Sequence, residues 1–260
     1  MNINEKKMID ILKRLRDNHG VIEVKAEFEN EGSRLDELMR LKDVASSADL
    51  PIIIKVGGVE AVTDIYNAIT IGALGVIAPM AETQFAVSKF TDAIDHFVPS
   101  DNREDIDFFI NIETITAYKN IDDILSFPGI SMLDGVTVGR VDFTASMGKD
   151  RAFVDSKEML QYCENIFKKT REKGLKCALG GAIALESESF IKHLVEQELL
   201  DKYETRKVVY EKSALSTLSE GLLLGIEFEL LWLESKERYY HRVKTEDQKR
   251  ILMLRERLDK

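Results

Sequence analysis

The sequence predicts an α/β fold, a (β/α)8 TIM-type barrel with an N-terminal helix and a C-terminal helical extension. Three observations carry that prediction. Short apolar runs begin near residues 21, 51, 74, 107, 134, 175 and 206, with helix-patterned stretches between them. The strand–helix pattern never reverses and no G-x-G-x-x-G follows the first strand, which favours a closed barrel over an open doubly wound sheet. The length of 260 residues suits one such barrel. Seven strands are clear, so the eighth is missing, irregular or replaced by the N-terminal helix.

Residues 4–18 set Met8, Ile11, Leu12 and Leu15 at helical spacing, and Gly20 stops that helix. Residues 21–28 alternate apolar and polar side chains and read as the first strand. The helix at 33–48 takes Ser33 as its N-cap and Glu37 in its first turn. The strand at 52–56 is β-branched, hence buried on both faces, and runs into Gly57 and Gly58. Helix 60–71, strand 75–78, loop 79–83 and helix 83–97 follow, then a charged connector after Pro99.

Residues 107–148 form a strand–helix–strand unit whose apolar runs, 108–112 and 136–138, each lead to an acid, Glu113 and Asp142. Helix 156–173 and strand 175–179 lead to Gly180-Gly181; helix 187–200 and the segment 202–206 precede a strand at 207–210. Two helices, 216–233 and 245–258, end the chain. Residues 1–215 thus form the barrel and 216–260 an extension, which packs on its own barrel or on a neighbouring subunit of a homo-oligomer.

Composition narrows the function. A hydrophobic fraction of 44% supports a large core, and a formal charge of −10 argues against binding a nucleic-acid backbone. Cys163 and Cys177 have neither metal nor redox spacing. The charged N-terminal helix lacks the apolar centre of a signal peptide, and no apolar run is long enough for a bilayer. The expectation is a cytoplasmic protein with no membrane or nucleic-acid partner.

In a barrel the strand C-termini converge on one mouth, where ligands bind. Read in order, that rim carries Glu27 and Glu29, Lys55 with Gly57 and Gly58, Glu82, Glu113, Gly139 and Arg140 with Asp142, Gly180-Gly181, and Glu204 with Arg206. Arg206 reads as the start of a strand, which puts it on the opposite rim. Taken singly, Glu113 and Asp142 are ordinary loop acids. As a pair on consecutive strands, without His or Cys beside them, they suit a hard cation such as Mg²⁺ or Mn²⁺. Cations and glycine pairs on the same rim suit a small anionic, oxygen-rich ligand. Lys55 is either a charge stabiliser or, if its pKa is lowered, a Schiff-base former.

The segments INIET at 110–114 and GRVDFTASMG at 139–148 resemble the paired motifs of the HpcH/HpaI aldolase and citrate lyase β-subunit family, and IKVGG and APMAET extend the resemblance over roughly residues 20–185. The resemblance implies a metal-dependent carbon–carbon lyase of the aldolase type, with Glu113 and Asp142 as metal ligands. The substrate would be a 2-oxo acid or pyruvate-like carboxylate, cleaved through an enolate. Lys55, Glu29 and Arg140 would be catalytic; Gly57, Gly58, Glu82 and Gly139 would bind substrate. Lys55 stands where the family has Arg, and the loop after the first strand has no His where the aldolases carry one. Within the resemblance, an acyl-CoA lyase of the citrate or malyl-CoA type and a non-catalytic metabolite-binding barrel are the alternatives.

Overall fold

The computed structural model describes residues 1–259. Helix α1 (Ile3–His19) precedes β1 (Val21–Glu27), and the chain then alternates through α2 (Leu35–Ser47), β2 (Ile52–Lys55), α3 (Val62–Ile71), β3 (Gly75–Ala78) and α4 (Gln84–Phe97). After the short α5 (Ser100–Arg103) come β4 (Asp107–Ile112), α6 (Ile115–Lys119), α7 (Ile121–Leu125), β5 (Gly135–Gly139), α8 (Arg140–Ser146), α9 (Lys157–Glu172), β6 (Lys176–Gly180) and α10 (Glu188–Glu196). The last elements are β7 (Lys202–Glu204), β8 (Val208–Glu211) and α11 (Leu218–Leu258).

The eight strands close into a barrel in sequence order. β1 to β7 run parallel, but β8 is antiparallel to both β7 and β1. The physical reason is the connection: only Thr205, Arg206 and Lys207 separate β7 from β8, too few for the helical crossover that a parallel step needs. Thr205 N–H donates to Val208 O at 3.0 Å, Tyr203 stacks on Tyr210 at 5.2 Å, and Lys207 pairs with Glu31. The strand that sequence reading could not find is therefore β7, three residues long and folded as half of a hairpin. The same hairpin corrects the placement of Arg206, which lies at its tip on the mouth side.

Strand alternation divides the interior into two layers. Val24, Ile54, Val76, Ile110, Val138 and Leu179 join the large core between strands and helices. Ile53, Ile77, Phe109, Ala178 and Val209 form a separate small cluster inside the barrel. Beneath them Lys202 lies over the Phe109 ring and pairs with Glu23 at 2.9 Å, plugging the end away from the mouth. The apolar middle of the barrel is thin, so the positions above it carry polar side chains into the mouth.

Two local expectations change. Helix α2 is capped at Arg34, whose N–H donates to Glu37 at 3.0 Å, while the Ser33 hydroxyl turns to Glu31. The two terminal helices are one, because residues 234–244 contain neither Gly nor Pro and their all-round polarity is that of a solvated helix. The first half of α11 lies against α1 and β8: Phe228 and Trp232 are buried, and the Tyr210 hydroxyl donates to Gly221 O at 2.8 Å.

Candidate active site

β1, β2 and β7 end in the ionisable residues Glu27, Lys55 and Glu204 and β4 is followed directly by Glu113, and all four reach a cavity of about 600 Å³ at the barrel mouth. Two lysines brace it. Lys55 Nζ stands 2.9 Å from Glu29 and 3.4 Å from Glu113, while Lys25 Nζ stands 3.4 Å from Glu27 and also pairs with Glu204. Glu113 is further held by the Met80 N–H and by Asn111 Nδ2, each donating at 3.0 Å. Each lysine thus bridges two glutamates, and the acids outnumber the lysines.

Burial alone would lower the pKa of Lys55, but Glu113 and Glu29 outweigh it and hold the amine above the usual lysine range. Lys25 behaves likewise between Glu204 and Glu27. The carboxylates around both lysines favour the ammonium form, which speaks against Lys55 as a Schiff-base former. For Glu27, burial acts upward but the surrounding lysines win, and its carboxyl sits below the ordinary range. Glu113 moves the other way. Its burial, to 1% exposure, raises its pKa against Lys55, Asn111 and the Met80 N–H, and Asp142 adds to the rise.

Two glycines make room for this arrangement. Gly139 and Gly180 are register partners on β5 and β6. A Cβ on Gly139 would stand 2.5 Å from Glu113 Oε2, and one on Gly180 would stand 2.9 Å from Glu204 Oε1. The two buried carboxylates therefore lean over neighbouring positions about 5 Å apart, the strand spacing.

The expected residues divide. Lys55, Glu113, Gly139 and Asp142 all line the cavity; Asp142 comes from the first turn of α8, which starts directly off β5. Glu29 sits behind Lys55 as its ion-pair partner. Arg140, expected to be catalytic, is fully buried and donates to Gly180 O, Val154 O, Asp155 Oδ1, Gly181 O and Ser187 Oγ. All five of its N–H groups are used, so it fastens the ends of β5 and β6 and has no donor for a substrate. Gly57 and Gly58 also move out of the site: the Gly57 N–H donates to Asp64 Oδ2 at 2.7 Å, and neither glycine lines the cavity. Glu82 accepts the Thr114 hydroxyl at 2.6 Å and ties the loop after β3 to the end of β4, away from the cavity.

Glu204, read from the sequence as a rim residue, lines the cavity; so do Lys25, Asn111 and Arg151, which the sequence did not place there, and Arg206, which it placed on the opposite rim. Two of them were detectable by alternation: Lys25 and Asn111 lie two residues before Glu27 and Glu113, on the same strand face.

Glu113 and Asp142 could hold a cation. Glu113 is buried, its pKa is raised by that burial and further by Asp142 in spite of Lys55, and both donors are hard oxygens. Among the described residues no three His, Cys, Asp or Glu side chains are grouped to bind a metal alone. Two carboxylates leave the other coordination positions to water and ligand oxygens, as Mg²⁺ favours.

Fold and mouth together define a β/α-barrel protein with an acidic, lysine-braced pocket at its strand ends. The chain belongs to the HpcH/HpaI aldolase/citrate lyase family, whose model matches residues 26–192. It is 30% identical over 144 residues to a hydroxypyruvate/pyruvate aldolase of Rhizorhabdus wittichii, a match spanning 45% of this chain and 55% of that protein. Among solved structures, an HpcH/HpaI aldolase from Desulfitobacterium hafniense DCB-2 superposes with a TM-score of 0.62 at 15% identity, covering 87% of this chain and 90% of the other. A citrate lyase β subunit from M. tuberculosis, complexed with oxaloacetate and magnesium, gives 0.51 at 14% identity, covering 82% and 92%. At these identities the structural matches speak for the fold.

Proposed function

We propose that this chain is a divalent-metal-dependent carbon–carbon lyase that cleaves a hydroxylated 2-oxo acid, or a related carboxylate, into an aldehyde and a pyruvate-like fragment. The observation that supports it most is the Glu113–Asp142 pair at consecutive strand ends, with Lys55 3.4 Å from Glu113. Glu113 and Asp142 would hold Mg²⁺ or Mn²⁺, which when bound would supply Lewis acidity toward the oxygens of the 2-oxo acid. The family membership and the names of the relatives point the same way.

The chain's own groups supply the rest. Glu27, ionised and lining the cavity, accepts the proton of the substrate hydroxyl. The carbon–carbon bond beyond the keto group then breaks, its electron pair passes into the enolate of the departing fragment, and the hydroxyl carbon leaves as the aldehyde carbonyl. Lys55 contributes fixed positive charge beside the developing enolate, and Glu29 keeps that amine charged and oriented. Glu27 then returns that proton to the enolate carbon, directly or through solvent water, which regenerates its carboxylate and completes the balance.

The test is deuterium exchange at the methyl group of pyruvate, followed by NMR with Mg²⁺ or Mn²⁺. Exchange is expected with metal and absent after EDTA. Glu113→Gln and Asp142→Asn should each weaken Mn²⁺ binding by about 100-fold, read by titration calorimetry. Unchanged metal affinity in either variant would remove the assigned ligands. Metal binding without exchange would remove the lyase.

A further inference from the structure

The mouth cavity extends beyond the Glu113–Asp142 pair, past Gly180 to Glu204 and Arg206 of the β7–β8 hairpin. Glu204 is buried there, at 4% exposure, and its two oxygens differ. Oε1 pairs with Lys25 Nζ, whereas Oε2 is buried with no hydrogen-bond donor among the described residues. Lys25 is already engaged by Oε1 and by Glu27. A buried carboxylate oxygen in this state is costly unless a donor arrives with the ligand.

The chemistry of the cavity narrows that donor. The pyruvate half of a 2-oxo acid carries acceptor oxygens only, so the donor belongs to the half that leaves as the aldehyde. An amine is disfavoured, because its charge would meet the Lys25 ammonium on the same carboxylate and Arg206 at the same end. A neutral hydroxyl fits. The two glycines fix its place along the substrate: Glu113 leans over Gly139 and Glu204 over Gly180, register partners about 5 Å apart. That step matches the span from a keto carbon beside Glu113 to a hydroxyl three carbons along. Such a hydroxyl sits one carbon beyond the one that Glu27 deprotonates.

We infer that Glu204 is a specificity-determining residue that accepts a hydrogen bond from this second hydroxyl. The substrates are then 2-oxo acids with hydroxyls on two adjacent carbons of the aldehyde half. The assignment rests on the lyase function proposed above and gives it a substrate class. An analogue without the second hydroxyl leaves Oε2 unpaired when bound, and a site of that kind discriminates strongly.

The test compares two substrates that differ by that hydroxyl alone, 4,5-dihydroxy-2-oxopentanoate and 4-hydroxy-2-oxopentanoate, by pyruvate release with Mn²⁺. Wild type should prefer the first by about 100-fold in kcat/KM. Glu204→Met should shrink the preference to about threefold, and Glu204→Gln, which retains an acceptor oxygen and a partner for Lys25, should keep about 10-fold. Both rates are read in one protein, so a general loss of activity, metal or stability cancels in the ratio. Equal rates in wild type, as when Oε2 holds only a water, would overturn the role of Glu204 and leave the lyase standing. So would a full preference in Glu204→Met, or cleavage of neither substrate by a protein that exchanges the pyruvate methyl group. Should Glu204→Met fail to fold, an undiminished preference in Glu204→Gln overturns the role equally. Cleavage of neither substrate together with no metal-dependent exchange removes the lyase, and this assignment with it.

Discussion

Lys55 and Arg140 both read as rim cations, and their surroundings give them opposite roles. Lys55 keeps its charge at the cavity wall between Glu29 and Glu113. Lys55→Met should cut metal-dependent pyruvate exchange by about 100-fold, the cost of losing one preorganised charge donor. Lys55→Arg should restore it only in part, because the planar guanidinium cannot place its charge where the compact ammonium sits. Both are checked in the exchange assay at matched metal occupancy. Arg140, with every N–H engaged inside the protein, is structural. Arg140→Met should lower stability by about 3–5 kcal/mol, read by urea denaturation, since it strands Asp155 and three backbone carbonyls. The sequence marks each as a cation near a strand end; only the burial of one and the cavity beside the other separate them.

At the scale of elements, the glycine at the end of β5 shows how tightly strand and site are joined. Gly139→Ala should cost about 1–3 kcal/mol from overpacking and should also weaken Mn²⁺ binding, because the new methyl must displace the Glu113 carboxylate. Thermal denaturation and calorimetry on one preparation separate the two effects. Much of the element pattern was legible: β3 falls on the expected residues, and Thr83 and Ser156 cap α4 and α9 where the helices were expected to begin. The β7–β8 hairpin was not. Its second strand was expected at 207–210, but β7 is only three residues long, too short for alternation to be recognised, and the reversal is decided by a three-residue connection. The continuous α11 was missed for a related reason, since a polar helical stretch and a linker look alike in one dimension.

Across the whole molecule, elements distant in sequence are held together by charge. Glu5 on α1 is buried against Arg40 on α2 and accepts the Asn2 N–H. Burial acts to raise its pKa, but Arg40 and the N–H outweigh it, so the folded value lies below the ordinary 4.5. Such a group stabilises the fold fully above its ordinary pKa, and that contribution disappears as pH falls through the folded value. Arg40→Met should therefore cost about 1 kcal/mol at neutral pH, a modest figure because Arg40 is half exposed. It should cost less near pH 3, a convergence that urea midpoints at the two pH values would check. The sequence by itself determined the barrel class, the residues of most strands and helices, and the pairing of Glu113 with Asp142, because hydrophobic period and strand-end acids are local properties of the chain. The tertiary structure alone decided the direction of β8, the two lysine bridges, the removal of Arg140, Gly57, Gly58 and Glu82 from the cavity, and the entry of Lys25, Asn111 and Arg206. Those outcomes depend on which strand ends lie side by side around a closed ring, and therefore on which charges must share a buried space.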